Sequence, residues 1–155
     1  MSKPPVAVRP QTERDLAADP RTWSNVLEAV PLFSGLSRRH LKKVAAAARI
    51  ARFHDGAPVV RGGEAGDTLF VVLDGDVLVR RRGVPEIWLG MGSFFGEMAL
   101  LDGGTRSATV TADGAVVCLA INRQRFGKVL RTEPSIAIAM LGELAARLRT
   151  AQATA

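Results

Sequence analysis

The chain has 155 residues, with 21 Lys and Arg against 15 Asp and Glu, for a formal net charge of +6. That length fits one domain, and such a domain buries about 70% of the surface its unfolded chain exposes, so no metal or disulfide staple is required. An apolar content of 47% excludes a disordered chain, no apolar run reaches the roughly 20 residues of a membrane helix, and a single cysteine excludes an intrachain disulfide.

The N-terminus, Met1-Ser2-Lys3-Pro4-Pro5, is followed by no apolar signal stretch, so the cytoplasm is the expected compartment. Residues 1–19 are polar and carry three prolines before Pro20; they read as a flexible arm, with a short helix within 12–18, ahead of one domain over 20–155. Asp19-Pro20 signals a helix start, with Asp as cap and Pro at the first helical position. Trp23, Val26, Leu27 and Val30 follow at helical spacing until Pro31 and Gly35 break the pattern. Ser37 can cap a second helix whose apolar face is Leu41, Val44, Ala45 and Ala48.

From about residue 49, short β-type segments alternate with turn residues every eight to twelve positions. The segments are 50–53, 58–61, 69–73, 77–80, 87–89, 107–111 and 116–121. Asp55-Gly56, Asp74-Gly75 and Asp113-Gly114 read as hairpin turns between apolar runs. Arg80-Arg81-Arg82 before Gly83 reads as a solvated hairpin tip rather than a nucleic-acid patch. Cys118, within Val116-Val117-Cys118-Leu119, reads as a buried small hydrophobe. After Ile121 the helical period returns. Asn122 can cap a helix carrying Phe126, Val129 and Leu130. A last helix runs from about 134 to 149 with Ala137, Met140, Leu141, Leu144, Ala145 and Leu148 on one stripe, which can pack on the β-roll or on a second copy of the chain. The order predicts an α+β fold: an antiparallel jelly roll of about eight strands, flanked by N-terminal helices and two C-terminal helices.

The basic balance favours anionic partners. With only His40 and His54 beside one cysteine, a structural zinc site or a Ser-His-Asp triad has no material. The stretch that carries chemistry is 92–110. Gly96 allows a side-chain-free approach to one helical turn over 97–101, whose leading amides form an anion site. Glu97 suits a neutral donor such as a sugar hydroxyl. Arg106, nine residues later and past Gly103-Gly104, can return to the same turn with a fork of donors for phosphate oxygens, and Ser107 adds a hydroxyl. Together they make a pocket for a phosphorylated sugar. On these residues alone, Glu97 and Arg106 could equally pair with each other and tie the loop.

The runs Phe95-Gly96-Glu97-Met98-Ala99-Leu100-Leu101 and Arg106-Ser107-Ala108-Thr109-Val110 resemble the phosphate-binding cassette of cyclic nucleotide-binding domains. The spacing is similar to that of bacterial cyclic-nucleotide-gated potassium channels and kinase A regulatory subunits. Val30-Pro31-Leu32-Phe33, the glycine-rich 62–67 and Leu73-Asp74-Gly75-Asp76-Val77 extend the likeness over nearly the whole chain from about residue 23. The resemblance implies that Arg106, helped by Ser107 and the Ala99 amide, binds the cyclic phosphate. It implies that Glu97, with the Gly96 amide, holds the ribose 2′-hydroxyl. Val79 and Leu89 are implied to line the purine and Arg147 to stack over it. The ligand expected is cyclic AMP, with cyclic GMP as the other purine; no cofactor, metal or catalytic residue is expected.

The expected role is a regulatory sensor whose C-terminal helices move on binding and act on an effector protein that the sequence does not identify. Only six residues follow Arg149, too few for a helix-turn-helix, so no direct nucleic-acid contact is expected. The alternative is the sensory piece of a longer transcription factor or channel. A metal-dependent enzyme of similar β-roll shape would need a His and carboxylate cluster that the chain does not contain.

Overall fold

The computed structural model describes residues 19–153. The predicted arm and the helix within 12–18 therefore lie outside the described residues, except for Asp19. Asp19 caps a short 3-10 turn, Pro20–Thr22, by accepting from the Arg21 amide at 3.0 Å. Helix α1 (Trp23–Glu28) follows, then a 3-10 turn at Pro31–Phe33 and helix α2 (Arg38–Ala46). Ser37 caps α2 through the His40 amide.

Six antiparallel strands form the sheet: β1 (Arg49–Phe53), β2 (Pro58–Val60), β3 (Thr68–Arg81), β4 (Val84–Leu89), β5 (Phe94–Phe95) and β6 (Thr109–Asn122). The order is β1-β6-β3-β4, with β2 also on β6 and β5 also on β3. The strand count falls below eight because two predicted turns are not turns. Asp74-Gly75 and Asp113-Gly114 lie inside the 14-residue strands β3 and β6, where the register slips between Val72 and Asp76. Gly75 (φ 91°) lies so close to the Ala115 carbonyl that a methyl would overlap it. Asp-Gly supplies the positive φ that both a tight hairpin and a bulge demand, and here the bulge bends one long strand into two arms of the roll. Arg82-Gly83 is, as expected, the tip of the β3–β4 hairpin, between the paired Arg81 and Val84.

Alternation along β3 separates two cores. Leu69, Val71 and Leu73 face the helices, packing with Leu27, Phe33 and Val44. Phe70 and Val72 face inward with Val77, Val79, Val110 and Cys118. Cys118 is fully buried, and burial pushes its thiol pKa up to about 12. The two-residue β5, too short to show a period in the sequence, stacks Phe95 on Phe70 with ring centroids 5.4 Å apart.

That contact delivers the chain to helix α3 (Glu97–Asp102). After β6, Asn122 caps α4 (Arg123–Thr132) through the Arg125 amide at 2.8 Å, and Phe126 packs on Phe33. The terminal helix α5 (Pro134–Ala153) divides its predicted stripe: Met140 is buried with Ile136, while Leu141 and Leu148 are exposed. Glu133, between α4 and α5, accepts from Lys43 and, at 3.0 Å, from Arg39, so α2 grips the joint between the two C-terminal helices. The Lys43 hydrogen bond leads in holding the Glu133 carboxyl below its usual pKa. No helix among the described residues is long and apolar enough to cross a membrane.

Candidate functional site

Gly96 opens α3 in the left-handed region at φ 85°. Its Cα lies against the Thr68 carbonyl and the Arg106 guanidinium, so a methyl group there would collide with both. Leu100 is the first amide to bond back, to the Gly96 carbonyl at 3.1 Å, and no side chain caps the turn. The amides of Glu97, Met98 and Ala99 thus precede the first helical bond.

Arg106 reaches this turn because its backbone is laced to the glycine-rich segment. Its N–H donates to the Glu64 carbonyl at 2.8 Å, its carbonyl accepts from Gly63 at 3.0 Å, and Ala65 bridges Thr105. The side chain then runs over Gly66, where a methyl would overlap the guanidinium. Nη2 donates to the Thr68 carbonyl at 2.8 Å, while Nη1 is buried and finds no protein acceptor. Burial presses the Arg106 pKa down, and the Asp67 carboxylate opposes it.

Glu97 is also nearly buried, with its side chain 11% exposed. Oε1 accepts from Arg147 of α5 at 2.8 Å, and Oε2 is buried without a donor. The Glu97–Arg106 pairing left open by the sequence is therefore not the arrangement adopted; each finds a different partner and keeps one polar atom over. A buried polar atom without a partner costs about 1–3 kcal/mol, more for a charged group, so each of these atoms calls for a water, an ion or a ligand group.

Both atoms belong to residues lining one cavity of about 340 Å³. Gly96, Glu97, Ala99, Arg106, Ser107, Val79 and Leu89 all line it. Of the predicted set only Arg147 does not, and it meets the cavity through Glu97. The sequence reading missed Ile87 and Arg81 on the cavity wall, the Thr68 carbonyl that seats Arg106, and Asp67 beside it. Arg81 had been absorbed into a charge run, and a backbone acceptor leaves no sequence signal. A larger cleft of about 790 Å³ lies between the back of α3 and α4, but its lining holds no buried side-chain atom lacking a partner. Volume favours that cleft, and chemistry favours the smaller cavity. The smaller one brings a cation, a carboxylate oxygen and apolar side chains together in one lining. Such a lining suits a molecule that carries an anionic group, a hydroxyl and an apolar part.

Comparison with known proteins points the same way. The family model described as the cyclic nucleotide-binding domain matches residues 50–133. The chain is 40% identical to a cyclic nucleotide-gated potassium channel of Mesorhizobium japonicum over 76% of its own length and 32% of the channel's. A cAMP-dependent protein kinase regulatory subunit of Mucor circinelloides is 33% identical over 71% of the chain and 27% of that protein. The chain thus spans about a third or less of the length of these curated relatives. Among solved structures, the N-terminal domain of a Streptomyces coelicolor transcriptional regulator superposes with a TM-score of 0.76 at 30% identity, covering 84% of this chain and 94% of that one. The regulatory domain of Toxoplasma gondii PKA with cAMP superposes with a TM-score of 0.62 at 28% identity, covering 83% of this chain and 50% of that one.

Proposed function

The chain belongs to the cyclic nucleotide-binding domain family, and on that premise we propose that it is a cyclic AMP sensor, a regulatory binding module rather than an enzyme. The observation that carries this reading is the pair of buried atoms without partners, Arg106 Nη1 and Glu97 Oε2, in one cavity. Arg106 binds an exocyclic phosphate oxygen through Nη1, with the Ala99 amide and Ser107 beside it. Glu97 Oε2 accepts the ribose 2′-hydroxyl, with the Gly96 amide. Val79 and Leu89 flank the purine. Cyclic AMP is favoured over cyclic GMP because Ser107 offers guanine a hydroxyl without the methyl group that would restrict its rotamer.

Binding couples to the terminal helices through packing. Leu100 of α3 is buried in the same core as Phe126, Ile136 and Met140, with Leu101, Val129 and Leu144 packed against it. Closing the α3 amides on a phosphate shifts Leu100 and Leu101 against α4, and α5 swings with Arg147 over the purine. A ligand drives such a shift only by binding one arrangement better, and a difference of about 1.4 kcal/mol moves the populations tenfold. The relatives' greater length supports a role for the chain as the sensing part of a larger regulated protein, with the effector as its partner.

Calorimetric titration with cyclic AMP and cyclic GMP tests the ligand, and saturable binding with cyclic AMP the tighter is expected. Amide hydrogen exchange over residues 123–153, with and without cyclic AMP, tests the coupling. Stronger protection with ligand is expected, and equal protection in both states would leave a binding site with no switch attached.

A further inference from the structure

Three consecutive arginines close the β3–β4 hairpin, and the structure gives them different surroundings. Arg80 is turned to Glu86, with Nε 3.0 Å from the carboxylate. Arg82 lies in the turn itself, before Gly83. Arg81 alone of the three lines the 340 Å³ cavity, beside Val79 and Ile87. Its side chain makes no hydrogen bond or ion pair with any described residue. The register with β4 slips by one residue just here, from Val79 opposite Ile87 to Arg81 opposite Val84. Bulges of this kind re-aim a side chain, and they gather next to binding sites.

The cavity therefore carries two guanidiniums. Arg106 is half-buried and seated on Thr68, whereas Arg81 is exposed, on the wall formed by Val79 and Ile87. With the phosphate on Arg106 and the sugar on Glu97, that wall faces the base. A guanidinium presents parallel N–H donors in a rigid plane and stays charged at every working pH. Guanine answers it with two adjacent acceptors, O6 and N7. Adenine offers N7 alone, flanked by an N6 amino group that is itself a donor.

We propose that Arg81 reads the purine edge, donating to O6 and N7, and so extends the pocket's ligand range from cyclic AMP to 6-oxopurine cyclic nucleotides. This rests on the reading of the cavity as a cyclic nucleotide site. It opposes the preference argued from Ser107, which concerns the 2-amino group, so the two contributions can be separated. Cyclic IMP keeps O6 and N7 and lacks the amino group.

The test is a set of titrations of wild type, Arg81→Ala and Arg81→Lys with cyclic AMP, cyclic GMP and cyclic IMP. Arg81 is exposed, and melting curves verify that both variants fold. Arg81→Ala is expected to weaken cyclic GMP and cyclic IMP by about tenfold to a hundredfold, the range of one bidentate base contact. Cyclic AMP should change by less than about threefold, since it forfeits at most one weak contact. Arg81→Lys keeps the charge without the planar fork and should behave like Arg81→Ala. Equal weakening of all three nucleotides would reduce Arg81 to a general electrostatic attraction and overturn the proposal, as would no change in any of them. Arg106→Ala, run alongside, separates the two failures. If that variant binds all three like wild type, the cyclic nucleotide reading itself is wrong.

Discussion

Arg106→Ala is expected to weaken cyclic AMP binding by about thirtyfold or more while the protein stays folded. Truncating one partner of a buried, charge-assisted hydrogen bond costs about 2–5 kcal/mol in affinity, and about 1.4 kcal/mol is tenfold. The fold should tolerate the loss because the side chain contributes little to it. Its one hydrogen bond to protein is from Nη2 to the Thr68 carbonyl, and Nη1 is desolvated without return. A hydrogen bond from a charged donor is worth about 1.5–3 kcal/mol, and losing it is offset by releasing the desolvated Nη1. Thermal melting should therefore shift by only a few degrees while the binding isotherm collapses. Glu97→Ala gives the graded comparison. It removes an acceptor for a neutral hydroxyl, at about 1–3 kcal/mol, and frees Arg147 from its partner. Its loss of affinity should be smaller than that of Arg106→Ala.

Gly96→Ala should abolish binding to a similar extent and also lower stability. A non-glycine residue in the left-handed region costs about 1–3 kcal/mol. Here the added methyl also meets the Thr68 carbonyl and the Arg106 guanidinium. Relief requires moving either the β3 backbone or the arginine that grips the phosphate, so the α3 amides and Arg106 are displaced together. Gly83→Ala is the matched control. Gly83 has a similar φ of 76° but open space around the missing methyl. It should lose stability from strain alone and bind cyclic AMP normally. A Gly96→Ala protein with wild-type affinity would show that the cassette geometry is not what holds the ligand.

Local chemistry was the most legible part of the sequence. Asp19, Ser37 and Asn122 each cap the element predicted for them, because capping needs only a short polar side chain beside free amides. For Gly96, Glu97 and Arg106, spacing alone placed a turn, an acceptor and a fork of donors in one loop but left Glu97 free to pair with Arg106, and the cassette resemblance was what pointed to a ligand. None of the three Asp-Gly pairs closes a hairpin: Asp55-Gly56 is a turn between β1 and β2, which both pair with β6, and the other two lie inside strands. Positive φ is a local demand, but whether it yields a hairpin or a bulge depends on the strand opposite, and β6 lies opposite β3 only after folding. The exposed half of the α5 stripe has the same origin, since period alone cannot say which half of a stripe finds a partner. Arg147 was expected above the purine, and its observed contact with Glu97 arises across 50 residues of sequence. The seat of Arg106 on a backbone carbonyl is invisible in any sequence, since every residue supplies one. Gly62, Gly63 and Gly66 belong to the glycine-rich stretch that carried part of the family likeness. Their closeness to Thr109, Arg106 and Gly104 shows a further task, which is to let the cassette strand lie against the loop.

The central claim is that Arg106 Nη1 and Glu97 Oε2 await the two ends of one sugar phosphate. A crystal structure of the complex with cyclic AMP measures this most directly. The account predicts an exocyclic phosphate oxygen about 2.7–3.0 Å from Arg106 Nη1 and the ribose 2′-hydroxyl about 2.5–3.0 Å from Glu97 Oε2. A nucleotide seated instead in the larger cleft between α3 and α4, or one in the smaller cavity that leaves both atoms without partners, would contradict it.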